Sequence, residues 1–313
     1  MIRDTDSSQV ARDVARRVRR GRRALVVKSM KCPGGDLRLE SGLERDVGLM
    51  LDLDPRVIEI TAQPFTLELQ SNNLLPSRQH YLKRPGIKPR FYTPDFLCKF
   101  DDGSLIAIDA KHSKFVEEFE LKRNAIVLGL RQHGIGFSVI LDTAVCPVVM
   151  STVASLHLLR AAYLQPVRSA AERELSELIG ACDHWLTEEL VARLTSGRVG
   201  VMVGLLSGLL SADFSLPLFS QTSQVRAAHG DLSHLQFLEV RRVTSIRPEV
   251  AQIRLEGSQG EEFVMTIDEF QQRVAQGQYR RSYGPTAFAI QPMPTRNLTQ
   301  TERCALDKRL ELL

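Results

Sequence analysis

Apolar and polar residues alternate through residues 91–100 and again through 105–108, and the two runs flank Asp101-Asp102-Gly103. A period of two bounded by a tight turn predicts an antiparallel hairpin. Phe91, Tyr92, Phe96, Leu97 and Phe100 supply one strand in this reading, and Leu105, Ile106 and Ile108 the other. Upstream the period lengthens. Leu43, Val47 and Leu51 recur every four residues behind Ser41, with Glu44 three residues after it. That pattern predicts a capped helix from Gly42 that stops near Asp54-Pro55. Strands follow at residues 57–60 and 65–69, then the hairpin, a helix over 115–130 and a short buried strand over 137–141. The glycines at 129, 134 and 136 read as a helix stop, not as a dinucleotide loop.

The character changes near Gln165-Pro166. Residues 170–182, 186–194 and 199–210 are three apolar-periodic segments joined by short loops, and Phe214, Leu216, Leu218 and Phe219 suit a small hairpin. This predicts a compact helical, winged-helix-like domain. From Leu238 the alternation resumes as a β-meander with a turn at Ser258-Gln259-Gly260, followed by a helix from Ile267 and a helical segment over 299–313. Four regions result: a basic N-terminal helix (1–30), an α/β domain (31–165), the helical domain (166–235) and a small β-rich extension (236–313).

Charge sharpens the picture at the N-terminus. The net charge is only +4, yet residues 1–31 carry ten Lys or Arg against three Asp. Val10, Val14 and Val18 form a narrow apolar stripe, while Arg16, Arg17, Arg19 and Arg20 occupy the other faces, as a basic amphipathic helix requires. Such a face suits phosphates; the competing reading is a solvated helix. Without an aromatic anchor it does not suit a membrane surface. A second basic cluster, with Arg84, Lys88 and Arg90, precedes the hairpin in a Pro- and Gly-containing loop.

With 43% hydrophobic and 25% charged residues the chain reads as globular and cytoplasmic. The first apolar run is broken by arginines, the longest (residues 199–212) is too short to span a bilayer, and the five cysteines contain no C-x-x-C pair. No G-x-x-x-x-G-K-[ST], G-x-S-x-G or H-E-x-x-H occurs, so local signatures for nucleotide hydrolysis, serine hydrolysis and zinc proteolysis are missing.

Candidate chemistry lies in the hairpin. Antiparallel pairing brings Asp95 and Asp109 to the same end, and Lys111, two residues beyond Asp109, shares its strand face. Asp at a strand end and Lys on an edge are also ordinary structural choices, as capping is for Glu44. Phosphodiester hydrolysis needs a cation to neutralise developing charge and a group to activate water, and paired hard carboxylates beside a lysine supply both requirements.

The strings S-G-L-E, D-P-R-V, Q-P, Y-T-P-D-F and I-D-A-K-H-S resemble the N-terminal domain of the TnsA-type endonuclease subunit of heteromeric cut-and-paste transposons, over roughly residues 20–165. The resemblance implies a restriction-endonuclease-like PD-(D/E)XK core. It implies catalytic roles for Glu44, Asp95, Asp109 and Lys111, with Gln63 just behind them. Mg²⁺ (or Mn²⁺) would be held by Glu44, Asp95, Asp109 and the Ala110 carbonyl, and His112 would join the basic residues in contacting DNA. At position 109 many relatives carry a different polar or acidic residue. The implied partners are double-stranded DNA at transposon ends, a DDE-type transposase and an AAA+ ATPase regulator, with the complex working at the nucleoid of a bacterial cytoplasm and no membrane involved. The 236–313 extension weakly resembles the start of such a transposase; a lineage-specific extension is the alternative. A stand-alone restriction or junction-resolving nuclease, or a DNA-binding adaptor without activity, are the rival functions.

Overall fold

A computed structural model describes residues 11, 25–83, 85–86, 88–160, 165–237, 242–247, 251–256 and 262–275. The expected N-terminal helix, Ala11 excepted, and the expected closing helix lie outside the described residues.

Strands β1 (Leu25–Lys28) and β2 (Asp36–Leu39) form a hairpin that leads into helix α1 (Gly42–Leu53). Ser41 caps α1 as expected, its Oγ accepting from the Glu44 N–H at 3.1 Å. The helix ends at Asp54, ahead of the proline-bearing turn. Strand β3 (Val57–Ala62) then enters the principal sheet, whereas β4 (Thr66–Glu68) and β5 (Asn73–Leu75) start a second, smaller one.

The structure divides the expected first strand of the hairpin. Phe91–Tyr92, as β6, pairs with β4 in the small sheet, and only β7 (Phe96–Phe100) pairs with β8 (Leu105–Lys111). Residues 93–95 carry the chain from one sheet to the other, because Pro94 has no N–H with which to continue a ladder. Gly103, at φ 80°, supplies the left-handed residue of the turn.

Helix α2 (Val116–Arg131) crosses over to β9 (Ile135–Leu141), which runs parallel to β8. The principal sheet therefore has the order β3-β7-β8-β9, with one parallel edge pair. Apolar residues leave it on both faces. Ile106, Ile108, Phe96 and Cys98 pack with α1 and with helix α3 (Pro147–Leu159), while Ala107 packs with Phe119, Ile126 and Leu130 of α2.

The first of these cores continues into α4 (Gln165–Ile179), α5 (Thr187–Arg193) and α6 (Arg198–Ser207) through Leu175, Leu190, Val201 and Leu205. Strands β10 (His184–Leu186), β11 (Leu210–Ala212) and β12 (Gln224–Ala227) form a sheet in the order β10-β12-β11. The hairpin expected within residues 214–219 is absent. Those residues form the loop of the β11–β12 hairpin, and Phe214 and Leu218 are buried as loop anchors instead of alternating along a strand. The meander is present as β13 (Arg242–Arg247), β14 (Gln252–Glu256) and β15 (Glu262–Thr266), followed by α7 (Ile267–Ala275). Among the described residues no single helix is long and apolar enough to cross a membrane.

Candidate active site

Three side chains of the expected site meet where β7 and β8 reach the same end of the principal sheet. Phe96 pairs with Ile108, so the next residues outward are Asp95 and Asp109. Asp109 is 2% exposed. Its Oδ1 accepts from the Asp95 N–H at 3.3 Å and its Oδ2 lies 3.3 Å from the Lys111 ammonium. The Asp95 carboxylate in turn accepts from the Ala110 N–H at 2.9 Å. Lys111 also sits 5.0 Å over the Phe119 ring, which steers the ammonium back towards Asp109.

Glu44 approaches from α1. Its Oε1 accepts from Ser41 Oγ (2.9 Å) and its Oε2 from the Glu40 N–H (2.9 Å), so this carboxylate closes the helix cap. Its charge still reaches Asp95. Burial, reinforced by the negative charges of Asp109 and Glu44, pushes the Asp95 carboxyl well above the ordinary carboxylate range; Lys111 and the Ala110 N–H oppose the shift without cancelling it. The site therefore carries more negative charge than its single lysine balances.

That imbalance bears on the divalent ion that the resemblance implies. Among the described residues, no three His, Cys, Asp or Glu side chains form a ready ligand cluster. Asp95 and Asp109 fit a hard cation in donor type and in their unbalanced charge, and each Glu44 oxygen, though it accepts one hydrogen bond of the cap, keeps a second lone pair.

Around these residues, Gln63 follows β3 and donates its N–H to the Asp95 carbonyl at 2.9 Å. His112, directly after β8, is paired through Nδ1 with Asp142 Oδ2 at 2.7 Å. Asp142 also accepts from the Ser113 N–H, the main reason its carboxyl is held below the usual range. Lys88 and Arg90 are exposed on the segment entering β6, where the Arg90 carbonyl and N–H bond Leu69 and Gln70. Arg16, Arg17, Arg19, Arg20 and Arg84 lie outside the described residues.

Two neighbours of the candidate site escape the sequence reading. The Tyr92 hydroxyl donates to Asp109 Oδ1 at 2.7 Å, and Asp142 orients His112. Tyr92 stands three residues before Asp95 in the string Y-T-P-D, but counting it into the same strand conceals its reach. Asp142 is brought close by the parallel β8–β9 register, in which Lys111 faces Leu141.

A mixed α/β sheet that ends in two carboxylates and a lysine presents the residue types that phosphodiester hydrolysis requires. Residues 54–142 match the family described as TnsA-like endonuclease N terminal, and over those residues the chain carries a domain of that family. Asp95, Asp109, Lys111 and Gln63 fall inside the match; Glu44 and the whole chain after Asp142 fall outside it. No curated protein matches the chain.

Proposed function

We propose that this protein is a Mg²⁺-dependent DNA endonuclease that hydrolyses the non-transferred strand at transposon ends in concert with a DDE-type transposase in the bacterial cytoplasm. The observation that carries the reading is the Asp95–Asp109–Lys111 constellation inside the matched nuclease domain. Asp95 and Asp109, with the Ala110 carbonyl, would hold the ion, whose charge would stabilise the phosphate as it gains negative charge. Lys111 orients the water and opposes that same charge. The water oxygen bonds to phosphorus and one P–O ester bond breaks. The water gives up a proton, and the leaving oxygen takes one from solvent.

The β10–β12 unit supports a finer reading. Its order of helix, strand, two helices, strand, long loop and strand, with the sheet order β10-β12-β11, supports a winged-helix reading. The third helix, α6, buries Val201, Val203 and Leu205 and offers no basic stripe, and residues 165–237 hold five Arg and no Lys against eight Asp or Glu. A unit of that charge suits contact with protein subunits better than duplex DNA, so a partner transposase and an ATPase regulator are its proposed clients. DNA contact falls to the basic N-terminal segment, to Lys88 and Arg90, and to His112.

The test is cleavage of end-labelled transposon-end duplexes with Mg²⁺, with and without the partner transposase, comparing wild type and Asp95→Asn. Cleavage that depends on Asp95 supports the reading. Equal cleavage by both proteins refutes it.

A further inference from the structure

Gln63 is unfavourable in two independent ways. Its backbone adopts φ 47°, the left-handed region that residues bearing a β carbon seldom enter. Its side chain is 1% exposed, yet neither Nε2 nor Oε1 has a hydrogen-bond partner among the described residues. A buried amide without partners costs stability, and an apolar side chain of the same shape would not. Both features sit one hydrogen bond from Asp95, since the Gln63 N–H donates to the Asp95 carbonyl. Strain and unmet polarity concentrated at one residue mark a group retained for what it does when substrate arrives.

The chemistry of the amide identifies what it awaits. A carboxamide needs an acceptor for its N–H and a donor for its oxygen. A divalent cation would satisfy Oε1 alone, and a phosphate oxygen would satisfy Nε2 alone. A water molecule beside a phosphodiester meets both needs. We propose that Gln63 is a positioning residue for hydrolysis. Its Oε1 accepts a hydrogen bond from the attacking water, and its Nε2 donates to a non-bridging oxygen of the scissile phosphate. One planar group then sets the water and the phosphorus in register, within the roughly 3–3.5 Å separation from which attack proceeds. The inference rests on the endonuclease reading of Asp95 and Asp109.

The full chain is compared as wild type, Gln63→Met, Gln63→Glu and Asp95→Asn. Four quantities are measured: melting temperature without metal, Mn²⁺ affinity, duplex affinity and single-turnover cleavage. Gln63→Met is expected to melt about 2–4 °C above wild type, the usual shift for one such group in a chain of this size. It should bind Mn²⁺ and duplex as wild type does and cleave about 100-fold more slowly, the scale of losing one positioned donor. Gln63→Glu keeps an acceptor but loses the donor, and it should also cleave slowly. A Met variant that melts at or below wild type means that the amide already has partners, and one that cleaves at the wild-type rate means that it positions nothing. Either result overturns the proposal. If Asp95→Asn is inactive while Gln63→Met is fully active, the Gln63 role alone falls. If Asp95→Asn cleaves as wild type does, the endonuclease reading falls and this inference with it.

Discussion

The Tyr92 hydroxyl donates a 2.7 Å hydrogen bond to Asp109 Oδ1 and so ties the small sheet to the end of the principal one that carries Asp95 and Asp109. Tyr92 lies in β6 and Asp109 in β8, and both are buried. A buried hydrogen bond to a charged acceptor contributes about 1.5–3 kcal/mol. Tyr92→Phe is expected to lower stability to urea by that amount and to slow cleavage, because Asp109 loses the contact that fixes its Oδ1. An unchanged urea midpoint together with an unchanged rate would show that the contact orients nothing.

Asp95 is destabilised as an anion by burial and by Asp109 and Glu44. A carboxyl raised in the folded state favours folding at acid pH, and this contribution is lost as pH rises from the unfolded value, near 3.8, through the raised one. Asp95→Asn removes the repulsion. At pH 7 without metal it should melt roughly 2–4 °C above wild type. Added Mg²⁺ should raise the wild-type melting temperature and leave the variant unmoved. A variant still stabilised by Mg²⁺ would place the ion elsewhere.

Lys111 stands 3.3 Å from Asp109 and over Phe119, so Lys111→Met keeps the aliphatic packing and removes only the charge. Cleavage should fall by roughly 100- to 1,000-fold, with Mn²⁺ affinity retained or slightly increased, since a competing cation is gone. Loss of Mn²⁺ binding would instead make Lys111 a structural partner of Asp109.

A second buried acid has a structural task. Asp52 is 1% exposed and holds Ser29 Oγ at 2.5 Å, Arg160 Nη1 at 3.1 Å and His157 Nε2 at 3.4 Å, joining the segment after β1 to α1 and α3. Burial alone would raise its pKa, but the hydrogen bonds from His157 and Ser29 and the charge of Arg160 bring it below 3.8. A depressed carboxyl contributes stability above its unfolded pKa and loses it as pH falls through the folded value. Wild type should therefore lose stability steeply below about pH 4. Asp52→Asn should show a flatter acid limb and, at pH 7, a loss of roughly 3–5 kcal/mol from leaving its partners unpaired. Urea titrations at pH 3 to 7 measure both effects.

Ile253, Leu255, Met265 and Phe270 of the meander and α7 are buried, and none of the four belongs to the core shared by the nuclease sheet and α3–α6. Truncation after Phe237 is expected to leave the melting temperature, metal affinity and intrinsic nicking of the core unchanged while weakening co-purification with the proposed partner transposase. Full recruitment by the truncated protein would remove the extension from assembly.

Much of the site was legible because its signals are local. Ser41 and Glu44 announce a cap within one helical turn, and Asp101-Asp102-Gly103 sets the β7–β8 register, which then brings Asp95, Asp109 and Lys111 together by counting alone. Where the reading failed, the cause lay in contacts between elements distant in sequence. Alternation through residues 91–100 cannot reveal that the chain changes sheets after Tyr92, since both halves keep the same period. Periodicity in residues 214–219 likewise marks burial without distinguishing a strand from a loop whose apolar residues anchor it.

The amino-acid sequence by itself determined the helix cap, the β7–β8 register and the meeting of Asp95, Asp109 and Lys111 at one end of it, because caps, turns and strand periods act over a few residues. Tertiary structure alone decided the partners that tune them. Tyr92 reaches Asp109 across two sheets, Asp142 reaches His112 across the β8–β9 crossover, and Gln63, whose backbone N–H bonds the Asp95 carbonyl, buries a side-chain amide that has no partner among the described residues. Such relationships depend on which surfaces pack together and which polar atoms are thereby withdrawn from water, and no spacing along the chain encodes them.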